Sequence, residues 1–333
     1  MDTNLPDALI DQQGLFDPVE SGPPVTLAER FVIPPFSVLD KRSGDWNRRR
    51  RQWLGLGIRS EVGRGEALTY NMSIDGGEGG WTSIFDPVLC ELAYRWFSRP
   101  GDRILDPFAG GSVRGVVASW LARWYTGVEL RPEQVVANYD QLDICDDAHH
   151  PRWVLGDARD IAAGDVLHDE YDLVFTCPPY ADLEVYSDDP RDLSTLRYDD
   201  FLREYEACLK AAATVLRDDR FFVVVIGDVR DRRSVDGRYY GLTVDTVNVA
   251  RRIGLSLYNE AILVTAGSLA LRTGPQFEKS RKLGRGHQTV LMFTKGNARA
   301  AASRLDQGGD VALSAEAGTH HQMNSALSSE AAS

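Results

Sequence analysis

The stretch "RILDPFAGGSVRGVVASWLARWYTGVEL" (residues 103–130) predicts the fold of this chain. Its first six residues (103–108) read as a buried strand, and after a turn of small residues the apolar spacing becomes that of a helix (112–124). "YTGVEL" (125–130) then reads as a second strand. Two strands joined by a helix form a βαβ unit, in which the strands lie parallel. The stretch therefore predicts a parallel sheet covered by helices.

The same alternation continues to residue 295. A helix is predicted from Pro132, because proline suits the first helical turn, and further helices over 198–216 and 244–254. The remaining strand-like runs are 152–158, 171–177, 220–228, 257–265 and 287–295. This pattern is typical of an α/β protein with a doubly wound, mostly parallel sheet, here of seven strands.

The two ends of the chain differ from this alternating part. Residues 1–28 are acidic and contain prolines without periodicity, which predicts a flexible segment. Residues 297–333 are rich in Ala, Ser and Gly, which predicts a disordered tail. Between these ends we expect an N-terminal extension (29–80) and a single α/β domain (81–296).

Charge and composition limit the classes of function. A net charge of −12 and a pI near 5.0 argue against a protein that coats nucleic acid without specificity. The longest apolar run (221–226) is too short for a membrane span, and the acidic N-terminus does not resemble a signal peptide. The cysteines lie far apart without metal-ligand spacing, so we expect no metal site and a reducing, cytoplasmic location.

Two stretches are nevertheless basic. Residues 40–53 contain six basic residues against two acidic ones, and residues 279–287 contain four basic residues and no acidic one. Each pattern alone is typical of a solvated surface, but on one rim of the fold the two could bind phosphates. The candidate phosphate contacts are Arg48, Arg49, Arg50 and Arg51 in the first stretch and Lys279, Arg281, Lys282 and Arg285 in the second.

Acidic residues occur at the ends of three successive predicted strands. Asp106 precedes a turn of small residues (109–111), Glu129 ends the second strand, and Asp157 follows the third. In open α/β sheets, ligands bind beyond the carboxyl ends of the strands. Small residues let the backbone approach a ligand, Glu129 can hold two ribose hydroxyls, and Asp157 can accept from an adenine amino group. Because Asp106 also suits a cationic ammonium group, the pattern favours an adenosyl cofactor.

The fourth predicted strand ends in Cys177-Pro178-Pro179-Tyr180. Two prolines cannot donate to a sheet ladder, so the strand must stop there. A structural stop needs only one proline or a glycine, and it needs no aromatic residue afterwards. The second proline and Tyr180 therefore indicate a functional motif.

Over roughly residues 80–296 the chain resembles the S-adenosylmethionine-dependent amino-methyltransferases of DNA. Their catalytic motif, Asp/Asn/Ser-Pro-Pro-Tyr/Phe/Trp, is similar to "CPPY" (177–180), and their cofactor motif is similar to "DPFAGGS" (106–112). "TSIFDPVLCELAYRWF" (82–97) is similar to the family's further cofactor-binding segment. With "FVIPPFSVLDKRSGDW" (31–46), the chain also resembles a group of phage and prophage DNA methylases.

The resemblance implies a Rossmann-like class I methyltransferase fold, S-adenosylmethionine as the cofactor and double-stranded DNA as the partner. It assigns the rigid backbone of Cys177, Pro178 and Pro179 to an exocyclic amino group and Tyr180 to stacking on a base flipped out of the duplex. It also implies a stand-alone modification enzyme of a bacterial host cell that protects phage DNA from restriction. The implied cofactor contacts are Phe85, Asp106, Phe108, Ala109, Gly110, Gly111, Glu129, Leu130, Asp157 and Ala158.

Two features depart from the expected pattern. Family members usually carry Asp, Asn or Ser where this chain has Cys177, and all three are better acceptors than a thiol. Cysteine is closest in size to serine, which is commoner among cytosine N4 enzymes, so it slightly favours cytosine and leaves adenine N6 as an alternative. The acidic loop 181–193 should repel phosphates and does not fit a DNA groove.

Other functions were weighed against DNA methylation. An RNA methyltransferase of the same fold is the nearest alternative, and a protein glutamine methyltransferase would require Asn-Pro-Pro-Tyr. A catalytically silent DNA-binding or assembly factor is the alternative outside enzymes. Retention of the glycine turn, the three strand-end acids and Pro-Pro-Tyr argues against it. The recognition sequence and the oligomeric state are not predicted.

Overall fold

The computed structural model describes residues 26–59, 85–164, 167, 170–180, 186–231, 237–265 and 270–306. The described residues divide into two units, with the boundary between Pro35 and Phe36. The first unit contributes the short helix α1 (Leu27–Phe31), and every other element belongs to the second. The predicted flexibility of 1–25 and the predicted disorder of 307–333 lie outside the described residues.

The second unit alternates strands and helices along the chain. Its elements are β1 (Val38–Asp40), α2 (Gly44–Leu54), α3 (Pro87–Phe97), β2 (Arg103–Asp106), α4 (Val113–Trp120), β3 (Trp124–Glu129), α5 (Pro132–Tyr139) and β4 (Arg152–Leu155). They continue with β5 (Tyr171–Thr176), α6 (Tyr198–Val215), β6 (Leu216–Ile226), α7 (Leu242–Arg252), β7 (Ser256–Val264), α8 (Ala270–Ser280), β8 (His287–Lys295) and α9 (Ala298–Asp306).

The described strands form one sheet in the order β1-β7-β8-β6-β5-β2-β3-β4. Only β8 runs antiparallel to its neighbours, β6 and β7. The predicted α/β class and the doubly wound, mostly parallel sheet are therefore confirmed, with one strand more than the seven predicted. Because β2, β3, β4, β5 and β6 are parallel, their carboxyl ends meet at the same edge, where the candidate site residues lie.

The additional strand lies within the predicted extension 29–80. Val38 pairs with Ile262 at the outer edge of the sheet, so β1 is part of the same unit as the other strands. Helix α2 then packs two indoles against α3, with Trp46 and Trp53 fully buried. Trp46 donates to Asp86 and Trp53 donates to Glu91, which satisfies both buried N–H groups. Residues 38–54 of the predicted extension thus pack on the sheet and on α3.

The start of the predicted disordered tail is helical. Helix α9 buries Ala301, and Arg304 donates to the carboxylate of Asp102 near the start of β2. Arg304 also lies 3.5 Å from Asp172, the second residue of β5. These contacts hold residues 298–306 on the sheet, and this corrects the prediction for that segment. Among the described residues, no helix is long and apolar enough to cross a membrane.

Candidate cofactor and substrate site

A cavity of about 340 Å³ opens beyond the carboxyl ends of the central strands. Its walls come from the segments that follow β2, β3, β4 and β5 and from the start of α3. Thus the fold brings most of the predicted site residues together. Those that line the cavity are Phe85, Phe108, Gly110, Gly111, Glu129, Leu130, Asp157, Ala158, Cys177, Pro178, Pro179 and Tyr180.

The turn after β2 is fixed by hydrogen bonds to its backbone. Gly110 adopts a positive φ of 50°, a conformation that favours glycine. Its N–H donates to Glu129 Oε2 at 2.9 Å, and its carbonyl accepts from Asn138 at 2.7 Å. Ala109 is buried and donates to the carbonyl of Val128, so it shapes the turn from beneath the cavity.

Asp106, the residue predicted to bind an ammonium group, lies beneath the cavity. Its side chain is fully buried and is not part of the cavity wall. The carboxylate accepts from Arg114, from the hydroxyl groups of Tyr125 and Thr176, and from the Phe108 N–H. These donors replace the water that a buried carboxylate has lost, so Asp106 holds the base of the turn.

Arg114 is a site residue that the sequence reasoning missed. It forms a buried ion pair with Asp106 and donates to the carbonyls of Phe108 and Ala109. Its guanidinium also lies 4.5 Å from the ring centroid of Phe85, in cation–π geometry. Arg114 therefore connects the glycine turn to Phe85 across the bottom of the cavity. In the sequence, the available sign of this role was its spacing of eight residues from Asp106.

Glu129 occupies the predicted position between β3 and the glycine turn. Its carboxylate accepts from the backbone N–H groups of Gly110 and Arg131, and the side chain of Arg131 lies 3.3 Å away. Burial raises the pKa of Glu129, against the opposing effect of Arg131. A carboxylate has about four acceptor positions, so Glu129 retains capacity on the side that faces the cavity.

Asp157 is more fully engaged than the sequence suggested. It accepts from the backbone N–H and from Nε of Arg159, both at 2.9 Å, and from the same guanidinium through a third bond. Burial opposes the charge of Asp157, but the hydrogen bonds from Arg159 outweigh it and lower its pKa. Asp157 thus remains a carboxylate at neutral pH, and it shares its acceptor positions with Arg159.

The Cys-Pro-Pro-Tyr segment forms the opposite wall of the cavity. The hydroxyl group of Tyr180 lies 3.3 Å from Cys177 Sγ and accepts from Gln288 Nε2 at 2.8 Å. Its ring rests against Gly227, where a Cβ atom would come within 2.9 Å of Tyr180 Cε2. Burial raises the pKa of Tyr180 well above its usual value, so the hydroxyl group stays protonated at neutral pH.

Lys41, Asp86 and Gln288 are among the wall residues that were not in the predicted set. Asp86 caps α3 by accepting from Val88, and Pro87 follows it in the first helical turn. That Asp-Pro pair was a readable helix-start signal. Lys41 and Gln288 gave no comparable signal, because their place at the cavity depends on pairing of β1 and β8 with distant strands.

The first basic stretch lies mainly on α2, and one of its arginines is engaged in the core. Arg49 forms two hydrogen bonds of 2.7 Å with Glu91, whose side chain is fully buried. This contact engages the guanidinium of Arg49, which the sequence analysis predicts to bind phosphate. Arg48 is exposed and paired with Asp45, and Arg50 and Arg51 remain predicted phosphate contacts.

The second basic stretch lies beside the wall that carries Tyr180. Arg285 is three residues from Gln288 and lies 4.0 Å from Asp228, which follows β6. Lys282 lies close to Gly237, because a Cβ atom added to Gly237 would be 2.4 Å from Lys282 Nζ. The guanidinium carbon of Arg230 lies 3.9 Å from the ring centroid of Tyr239, over the ring. None of these three cations lines the cavity, and the link to it is Arg285, three residues before the wall residue Gln288.

The acidic loop is described only from residue 186 onward. Asp189 is paired with Arg191, and Asp192 accepts from Ser187 and from Ser194. These contacts neutralise part of the charge that the sequence suggested would repel phosphates. Residues 181–185 lie outside the described part of the chain. Among the described residues, no group of His, Cys, Asp and Glu side chains is arranged to hold a metal ion.

Comparison with known proteins gives one match to a curated sequence. The chain is 31% identical over 107 residues to the Type II methyltransferase M.XycI of Xanthomonas campestris pv. cyanopsidis. The match covers 32% of this chain and 34% of that protein, so the chain spans about a third of the length of the curated relative it matches. No protein-family model matches the chain.

Several solved structures are similar to parts of the chain at low sequence identity. TrmN from Thermus thermophilus has a TM-score of 0.41 at 16% identity, over 63% of this chain and 49% of that one. The putative RNA methyltransferase PH1948 from Pyrococcus horikoshii has a TM-score of 0.45 at 14% identity, over 75% and 100%. Magnesium protoporphyrin IX methyltransferase from Synechocystis PCC 6803, with bound SAM, has a TM-score of 0.37 at 12% identity, over 59% and 71%. With TM-scores below 0.5, none of these likenesses identifies a substrate.

The cavity brings together the residues that the sequence assigns to an adenosyl cofactor and those that it assigns to the methyl acceptor. The glycine turn, Glu129 and Asp157 lie on one wall of the cavity, and the Cys-Pro-Pro-Tyr segment lies on another. A volume of about 340 Å³ is within the range of small-molecule sites. The residues present therefore fit an adenosyl cofactor.

Proposed function

We propose that this protein is a methyltransferase that uses S-adenosylmethionine to methylate an exocyclic amino group in DNA, cytosine N4 or adenine N6. One observation carries the proposal. The Cys-Pro-Pro-Tyr segment faces the same cavity as the glycine turn and the strand-end acids. A cofactor held by the acids would thus lie beside a backbone suited to an amino group.

S-adenosylmethionine would supply an electrophilic methyl group on a sulfonium sulfur. Gly110 and Gly111 allow close approach of the backbone, and Glu129 and Asp157 offer acceptors to ribose and adenine. Phe85, Phe108, Leu130 and Ala158 supply the apolar part of the wall. Asp106 and Arg114 act from below by fixing the turn.

The amino group of a base is a poor nucleophile, because its lone pair is delocalised into the ring. The carbonyls of Cys177 and Pro178 accept the amino hydrogens and favour a more tetrahedral nitrogen, as the transition state requires. Pro178 and Pro179 have no N–H groups, and their rings fix φ, so the backbone that carries these carbonyls is held in a restricted conformation. The backbone thus positions the nitrogen, and the amino proton leaves to solvent after transfer.

Tyr180 provides the face on which a flipped base stacks. Gln288, Cys177 and Gly227 hold this ring in one orientation, so it needs little ordering when the base enters. Its protonated hydroxyl group cannot act as the general base, which leaves Tyr180 a stacking role.

Two observations support DNA as the substrate. The 107-residue similarity is to a Type II methyltransferase. In addition, Arg285 is three residues before Gln288, which donates to Tyr180, so Arg285 and Lys282 are candidate cations for the phosphates of a bound duplex.

The test is transfer of tritiated methyl groups from S-adenosylmethionine to unmethylated bacterial DNA, to bulk RNA and to bulk protein. We expect label in DNA, and we expect Tyr180→Ala to reduce the rate at least about 100-fold, because misplaced reactants lose the orientation effect. Cofactor binding by that variant should change less than about twofold, since Tyr180 stacks on the base.

Tyr180→Phe is the matched control, because it keeps the stacking ring and removes only the hydroxyl group. It should retain most of the activity. Tyr180→Ala that transfers methyl groups at the native rate would show that the assigned wall is wrong. Label confined to RNA or protein would favour those alternatives, and a chain that binds no cofactor would favour a silent binding factor.

A further inference from the structure

The acidic loop that follows the Cys-Pro-Pro-Tyr segment is described from residue 186 onward, and part of it lines the cavity. Tyr186, Asp192 and Leu193 belong to the same wall as Tyr180. Asp192 and Leu193 are only 7% and 5% exposed, and Tyr186 is half-buried. A loop whose acids only repelled phosphates would leave them in solvent. The burial of Asp192 therefore indicates another role for this half of the loop.

Asp192 fixes the conformation of the loop. Its Oδ1 accepts from the backbone N–H and the hydroxyl group of Ser194 at 2.9 and 2.7 Å, and its Oδ2 accepts from the hydroxyl group of Ser187 at 2.9 Å. Ser194 Oγ accepts in turn from the backbone N–H of Tyr186 at 3.1 Å. These donors replace the water that the buried carboxylate has lost. Because the next residue, Leu193, lies in the main hydrophobic cluster, the loop holds Tyr186 on a packed base.

The described cavity wall contains four aromatic residues: Phe85, Phe108, Tyr180 and Tyr186. Two of them pack toward the core. The ring of Phe85 lies edge-on to Phe175 at 5.7 Å between centroids, and the ring of Phe108 lies 6.4 Å from Tyr205 of α6. Tyr186 is thus the aromatic wall residue that remains to face a base stacked on Tyr180.

The two tyrosines are close enough to influence each other. Burial raises the pKa of Tyr180 well above its usual value, and Cys177 and Tyr186 add to the increase. Since electrostatic interactions weaken with distance, the hydroxyl group of Tyr186 lies near that of Tyr180. A flipped base has two flat faces, of which Tyr180 covers one. Stacking on a second aromatic side chain would strengthen the binding of the base about 10-fold.

We propose that Tyr186 covers the second face of the flipped base, opposite Tyr180, and that Asp192 and Ser194 are positioning residues for Tyr186. The inference rests on the proposed function. It gives the acidic loop a role in the site, because its buried aspartate holds an aromatic wall in place instead of facing the phosphates of DNA.

Other roles of Tyr186 predict different results. If its side chain only fills space, an aliphatic residue of similar size should serve as well as an aromatic one. If its ring contacts the cofactor, its replacement should weaken the binding of S-adenosylhomocysteine. A residue that stacks on the base should instead affect the methylation of DNA and leave the binding of S-adenosylhomocysteine unchanged.

The experiment compares the native chain with Tyr186→Leu and Tyr186→Phe in the transfer of tritiated methyl groups to unmethylated bacterial DNA. We expect kcat/KM for DNA to fall about 10-fold in Tyr186→Leu and less than about threefold in Tyr186→Phe, which keeps the stacking face. The affinity for S-adenosylhomocysteine, measured by calorimetry, should change less than about twofold in both variants. Tyr258→Leu is the matched control, because Tyr258 is 46% exposed on β7 and lies outside the described cavity wall.

The positioning role has its own test. Ser194 is not among the described wall residues, and Ser194→Ala removes both the acceptor for the Tyr186 N–H and a donor to Asp192. This variant should lower kcat/KM for DNA about threefold in the native background and leave it unchanged in the Tyr186→Leu background. Ser194→Thr keeps the hydroxyl group and should restore the native value. Equal losses in both backgrounds would show that Ser194 does not act through Tyr186.

The outcomes separate this proposal from the function on which it rests. Equal kcat/KM for the native chain, Tyr186→Leu and Tyr186→Phe would overturn the role of Tyr186, as would a weakened affinity of folded Tyr186→Leu for S-adenosylhomocysteine. Tyr186→Met carries the same expectation and replaces the leucine variant if that variant does not fold. A native chain that transfers no methyl groups to DNA would instead overturn the proposed function.

Discussion

The two basic stretches of this protein are similar in composition but have different structural roles. On α2, Arg49 is only 12% exposed and serves as the counter-ion of the fully buried Glu91. In the stretch before β8, Lys282 lies against Gly237 and Arg285 lies 4.0 Å from Asp228. Both side chains are half-buried. The difference shows that an arginine is available for phosphate binding only where the fold does not place a buried acid beside it. A count of the charges in the sequence does not reveal this.

The largest expected effect tests the structural role of the first stretch. Glu91→Gln should lower the free energy of unfolding by about 3 kcal/mol at pH 7, because it leaves the guanidinium of Arg49 without its buried partner. Urea unfolding measures the change. The exposed Glu170→Gln is the matched control and should alter stability by less than about 0.5 kcal/mol.

The same variant gives a pH test. Burial opposes the charge of Glu91, but Arg49 and Arg95 outweigh it and lower the pKa of Glu91 to about 2. A lowered pKa stabilises the fold above the unfolded value and ceases to do so as the pH falls through the folded value. The stability difference between native and Glu91→Gln proteins should therefore shrink as the pH falls from 4.5 toward 2. A difference that does not change with pH would contradict the ion-pair account.

The next effect concerns the second stretch. The double variant Lys282→Met, Arg285→Met should bind DNA about 10-fold more weakly at low salt, and the slope of log K against log salt should fall by about 2, one for each lost phosphate contact. Binding of S-adenosylhomocysteine should not change. Fluorescence anisotropy of labelled duplex DNA at several salt concentrations measures the slope, and an unaltered slope would remove this surface from the DNA interface.

A smaller effect is expected from the loop that supports Lys282. Gly237 has a φ of +54°, and a Cβ atom there would lie 2.4 Å from Lys282 Nζ. Gly237→Ala should cost about 1 kcal/mol of stability and displace Lys282, which should weaken DNA binding a few-fold. Gly101→Ala is a control with similar backbone strain (φ +83°), where the added Cβ atom meets no neighbour within 4 Å.

The smallest effect is expected at Arg48. Its guanidinium is exposed and paired with Asp45 at 2.8 Å. Arg48→Met should therefore change the free energy of unfolding only slightly and the DNA affinity by less than about twofold. The same anisotropy and urea measurements apply. A large loss of DNA affinity would show that α2 contributes to the DNA interface, and the two stretches would then be functionally alike.

Much of the fold was predictable because hydrophobic periodicity determines which segments become buried strands and helices. The predicted strand 171–177 corresponds to β5 (Tyr171–Thr176), and the predicted helix 198–216 corresponds to α6 (Tyr198–Val215). Strand β1 was missed because three residues give no period. The described part of the tail was misread because α9 depends on Arg304 finding Asp102, a partner that is 202 residues away.

The candidate site was predictable where it follows strand ends and less so where it depends on contacts across the chain. Glu129 and Tyr180 line the cavity as the strand positions predict. Asp106 was assigned to a ligand because an acid at a strand end suits one, whereas burial and Arg114 give it a structural role. Lys41 was placed in a basic surface stretch, and only the pairing of β1 with β7 brings it to the cavity.

The most direct test of the central claim is mass spectrometry of nucleosides from the DNA of a methylation-deficient bacterial host that expresses either the native chain or Tyr180→Ala. The account predicts N4-methylcytosine or N6-methyladenine with the native chain and neither nucleoside with the variant. The appearance of 5-methylcytosine, or DNA that stays unmodified while the soluble chain binds S-adenosylmethionine, would contradict it.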